Sequence, residues 1–101
     1  MPSAEPLPGA QPSVRRDAET LLFRGDLVVG AIASLWKPAL AALTGVRRFD
    51  LAGVGRVDSA GVALLAELAQ RAGAVDIDGD PPGLAALRAA YRLTPTLSYA
   101  A

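Results

Sequence analysis

The chain has 101 residues, 51% hydrophobic and 20% charged, with ten basic residues balancing ten acidic ones and neither histidine nor cysteine. That length holds one domain, and the apolar fraction builds a core without disulfide staples. Zero formal charge gives no field to attract a polyanion, and the missing His and Cys remove the commonest general base, the thiolate nucleophile and the soft metal ligands, so nucleic acid, cofactor and metal are all unexpected.

Residues 1–13 contain four prolines, at positions 2, 6, 8 and 12, mixed with Ser, Gly and Ala. That composition predicts a disordered tail, with the folded domain spanning 14–101. Met1 to Gln11 lacks the basic start and apolar run of a signal peptide, and no later run approaches the ~20 apolar residues of a membrane span. The expected protein is therefore soluble, with any membrane role exercised through a partner.

Val14–Asp17 and Thr20–Arg24, split by Ala18-Glu19, read as a small hairpin. From Ile32, the apolar positions Leu35, Trp36, Ala39, Leu40 and Leu43 follow helical spacing up to Gly45. Pro38 inside that series predicts a kink, or a helix whose regular part starts near Lys37, because proline lacks the amide that would bond Ser34. Arg47–Val54 reads as a strand between glycines. Gly61, Leu64, Leu65, Leu68 and Ala72 then recur at helical spacing and stop at Gly73. Val75 and Ile77 alternate with Asp76 and Asp78 as a half-buried strand, and Asp80-Pro81-Pro82-Gly83 turns the chain into a third helix carrying Leu84, Leu87 and Tyr91. The order β β α β α β α predicts an α/β fold, a mixed, mostly parallel sheet with helices packed on it.

Few groups are available for chemistry. Lys37, the single lysine, has no Ser-Lys signature around it. Gly53-Val54-Gly55 lacks the third glycine of a dinucleotide loop, Asp58 standing in its place, and reads as a tight turn. Asp76, Asp78 and Asp80 have the spacing that opens a calcium loop, but Pro81 and Leu87 occupy its Gly and Glu positions. Solvent-facing strand residues and a helix cap account for the three aspartates. No catalytic residue is expected. Asp58-Ser59-Ala60-Gly61 is the most informative segment: Asp58 or Ser59 can cap the following helix, whose exposed amides and positive dipole end could also receive a partner or a phosphate.

Phe49-Asp50-Leu51-Ala52-Gly53-Val54, followed by Arg56-Val57-Asp58-Ser59-Ala60-Gly61-Val62-Ala63-Leu64-Leu65, resembles the central motif of STAS domains. That family includes anti-sigma factor antagonists and the small subunit of the Mla phospholipid transporter. Leu35-Trp36 and Tyr91-Arg92-Leu93 are similar to the transporter subunit, and the resemblance spans residues ~14 to 97. Antagonists carry a phosphorylated serine where this chain has Ala60, which has no hydroxyl to modify; Ser59 aligns with the transporter subunit's Thr or Ser and reads as a contact or cap residue. The resemblance implies a non-catalytic subunit docked on the cytoplasmic ATPase of an ABC transporter, hence cytoplasmic and peripheral to the inner membrane. Its expected partner-binding residues are Arg56, Asp58, Ser59, Ala60 and Gly61 with the exposed side of the helix, Val62, Ala63 and Ala66. The alternative it leaves open is an antagonist-like module that binds a kinase-type anti-sigma factor.

Overall fold

The structure, a computed structural model, describes residues 12–73 and 75–93. The elements run β1 (Ser13–Asp17), β2 (Thr20–Arg24), α1 (Val29–Ala41), β3 (Arg48–Gly53), α2 (Ser59–Ala72), β4 (Asp76–Asp78) and α3 (Leu84–Ala90). This is the order read from the sequence. Most of the expected tail lies outside the described residues, and β1 opens at Ser13.

The four strands lie in sequence order in one sheet. β1 and β2 are antiparallel across the two-residue turn Ala18-Glu19, whereas β2, β3 and β4 are parallel neighbours, because a helix separates each from the next. Side chains alternate across the sheet. Leu21 and Phe23 of β2 and Phe49 and Leu51 of β3 point to one face, where they are buried with Leu35 of α1, Leu65 and Leu68 of α2 and Leu84 of α3. Phe23 meets Phe49 edge to face with ring centroids 5.6 Å apart. The opposite face carries Arg15, Leu22, Asp50 and Asp78 in one cross-strand row, partly or fully exposed. The described residues thus form two layers, the helices on one face of the sheet and the other face open among them.

Three local expectations change. Of the two alternatives expected around Pro38, the regular start near Lys37 is not found: α1 starts at Val29 and runs through Pro38 to Ala41. Pro38 and Ser34 are both exposed, so the carbonyl deprived of its helical donor faces water, and the helix tolerates the proline. Tyr91 is the C-cap residue of α3 rather than a member of the helix, and it is 45% exposed. Gly53 and Gly55 do not have positive φ. They are small because the preceding loop crosses them: a side chain at Gly55 would meet Asp26 Oδ1 at 2.6 Å, and one at Gly53 the Arg24 stem at 3.0 Å.

Candidate functional site

The loops that follow β2, β3 and β4 converge at the carboxyl ends of the three parallel strands, the edge where open α/β sheets present their sites. Loops 25–28 and 54–58 are joined by backbone bonds: Gly25 N donates to Gly53 O at 3.1 Å, Leu27 N to Arg56 O at 2.9 Å and Asp58 N to Leu27 O at 3.1 Å. Across them Arg56 pairs with Asp26 at 3.2 Å. The third loop joins through Val57 N, which donates to Pro82 O at 2.9 Å. Gly83, at φ 95°, packs so closely on the Val57 carbonyl that a side chain there would overlap it.

Asp58 ties this assembly to two helices. Its Oδ1 accepts the Gly61 amide at 2.9 Å, the N-cap bond of α2, and its Oδ2 accepts the Val29 amide at 3.0 Å, at the first residue of α1. One carboxylate therefore satisfies first-turn amides of both helices. Burial pushes the Asp58 carboxyl up, but the amides of Gly61, Val29 and Ala60 and the Arg56 charge outweigh it, and the group lies below its ordinary value. Gly61 has an equally specific task. α2 crosses the Leu27 carbonyl so closely that any β-carbon at position 61 would collide with it.

Of the expected partner-binding residues, Arg56, Ser59 and Ala63 are exposed, Asp58 and Ala60 are half-buried, and Gly61 is buried. Val62 and Ala66 are not on an exposed side: they are 1% and 5% exposed. The correction has a packing cause. α2 contacts both α1 and α3 as well as contributing to the sheet-facing core, so its buried arc takes in Gly61, Val62, Leu64, Leu65, Ala66, Leu68 and Ala69. Only the row Ser59, Ala63, Glu67 with Gln70 and Arg71 remains outside.

Sequence reasoning missed a neighbouring exposed patch. Asp58 brings the first turn of α1 beside the first turn of α2, which sets Val29, Gly30 and Ala33 on the exterior, Val29 being 73% exposed. The i, i+4 row Ala31, Leu35, Ala39 was the available signal that α1 begins this early. Asp76 and Asp78, the calcium-like pair, instead flank Arg48 at 3.7 and 2.8 Å. Among the described residues no group of three or more His, Cys, Asp or Glu could hold a metal, and no helix is long and apolar enough to cross a membrane.

At the strand ends of this two-layered α/β domain the charged groups serve as caps and ion pairs, with small exposed residues between them. The family described as "Mlab, STAS domain" matches residues 11–97, and the chain belongs to that family. No curated protein matches it. Among solved structures, one described as a crystal structure analysis of Mglu is similar at 24% identity and a TM-score of 0.46, over 70% of this chain and 19% of that one. A likeness at that level does not bear on function.

Proposed function

We propose that this STAS domain is the non-catalytic subunit of an Mla-type phospholipid ABC transporter, docked on the transporter's cytoplasmic ATPase and supporting its assembly and activity in outer-membrane lipid asymmetry. Membership of the Mlab STAS family supports the reading. The observation that carries it is Ala60: the motif's second position holds no hydroxyl, so the surface cannot be switched there by phosphorylation and suits constitutive docking. The docking surface is Arg56, Ser59, Ala60 and Ala63, its shape held by Asp58 and Gly61, with Val29 beside it. Such a subunit changes ATPase turnover only by contacting one conformational state better than another. In this reading the protein is cytoplasmic and reaches the inner membrane through the ATPase.

The test is copurification of the tagged chain from detergent-solubilised membranes of its own host. Recovery of an ABC ATPase with its permease supports the proposal. Recovery of a kinase-type anti-sigma factor with no transporter overturns it in favour of an antagonist-like module.

A further inference from the structure

The arginines of the described structure divide into two groups. Arg16 donates to the carbonyls of Ala18, Ala42 and Thr44, Arg48 pairs with Asp76 and Asp78, Arg56 with Asp26, and Arg71 with Glu67. Arg15, Arg24, Arg47, Arg88 and Arg92 form no such bond among the described residues, and of these Arg15 and Arg24 stand on adjacent strands of the same sheet face. The register Ser13↔Arg24 and Arg15↔Leu22 makes them diagonal neighbours. Together with Ser13 and Leu22 they line a shallow hollow of about 330 Å³.

The two like charges stand diagonally across the strand pair without an ion-pair partner among the described residues. The nearby carboxylates do not pair with them. On the same face, Asp17 lies opposite Thr20, and Asp50 lies beyond Leu22 with Oδ1 accepting the Ala52 amide at 2.9 Å. Gly53 leaves room for the Arg24 stem, whose Cγ would lie 3.0 Å from a β-carbon at that position.

We propose that the Ser13–Arg15–Leu22–Arg24 hollow binds a phosphate group. The hollow is lined by two arginines and a serine, whose guanidinium and hydroxyl groups are donors suited to a phosphate oxyanion, together with the half-buried Leu22. The hollow has the size of a small-ligand site and is too small to seat a folded partner. A soluble phosphate compound and a phospholipid headgroup present the same chemistry, and the site lies on the face opposite the helices, so either could occupy it alongside the docking surface.

The experiment titrates the full-length, 15N-labelled chain with inorganic phosphate and with glycerol 3-phosphate, using chloride at matched ionic strength as the control. Cosedimentation with phosphatidylglycerol vesicles forms a second arm. Saturable amide shifts centred on Ser13, Arg15, Leu22 and Arg24 are expected. In the Arg15→Gln/Arg24→Gln variant the affinity should fall roughly tenfold or more. Arg47→Gln, an exposed arginine on another surface, should retain binding, and the spectrum of the double variant verifies its fold. Binding of the soluble phosphates without vesicles assigns a soluble ligand. Vesicle binding that is lost in the double variant assigns a headgroup. Shifts no larger than those with chloride, together with vesicle binding that is absent or unaffected by the double substitution, overturn the proposal.

Discussion

The Asp58 carboxylate accepts the Val29 amide at 3.0 Å across 29 positions of sequence, while its other oxygen caps its own helix at Gly61. Each cap is worth about 1 kcal/mol, so Asp58→Ala should destabilise the domain by about 2 kcal/mol, more than loss of a single cap. Asp58→Asn should not fully rescue it, because the amide nitrogen would turn a donor toward one of two donors. Urea unfolding of the three proteins measures both differences.

The same residue predicts an acid dependence. With its folded-state pKa below the ordinary carboxylate value, Asp58 contributes stability that is fully present above about pH 4 and is lost as pH falls through the lower folded value. The stability gap between wild type and Asp58→Ala should therefore be constant from neutral pH to about pH 5 and shrink below about pH 4. Denaturant midpoints across that range measure it; a gap that widened on acidification would contradict the capping role.

Gly61→Ala tests the contact between α2 and the Leu27 carbonyl. A methyl group has no space there, so α2 must move off the loop or the loop must open, at a cost of about 3 kcal/mol. Thermal melting should show a drop far larger than that for Gly30→Ala, where a β-carbon would meet nothing within 4 Å.

Those contacts also explain what the sequence could and could not disclose. Element order was legible because Leu21-Leu22-Phe23 and the series Leu64, Leu65, Leu68 carry their periods locally. The Asp58 cap of α2 was legible in the motif, whereas its second bond, to Val29, and the contact of Gly61 with Leu27 depend on residues that only the folded chain brings near. For Val62 and Ala66 the failure was one of arc width: a helix packed against both a sheet and neighbouring helices buries more of its circumference than a single apolar stripe discloses.

Two positions are suboptimal and should improve on substitution. Ala18 sits at φ 55° in the β1–β2 turn, a conformation that disfavours a β-carbon, so Ala18→Gly should stabilise by about 0.5–1 kcal/mol. Pro38→Ala restores a helical donor to the Ser34 carbonyl on an exposed face. It should raise stability by about 1 kcal/mol, below the ~3 kcal/mol of an interior proline, because that carbonyl is on the solvent side. Calorimetry would register both as higher melting temperatures.

The proposed docking surface makes a sharper demand, because Ala63 and Ala66 lie less than one turn apart on α2 with opposite burial. Ala63→Arg places its charge in water and should leave the circular dichroism and melting curve nearly unchanged while weakening ATPase capture, as should Ser59→Asp. Ala66→Arg forces a guanidinium into a site 5% exposed, and the domain should unfold or lose several kcal/mol. Capture that survives Ala63→Arg and Ser59→Asp unchanged would remove this face from the interface even if the ATPase is the partner. If those two variants instead lost their fold, reduced capture could not be assigned to the surface, and the docking role would have to rest on the milder Ala63→Ser.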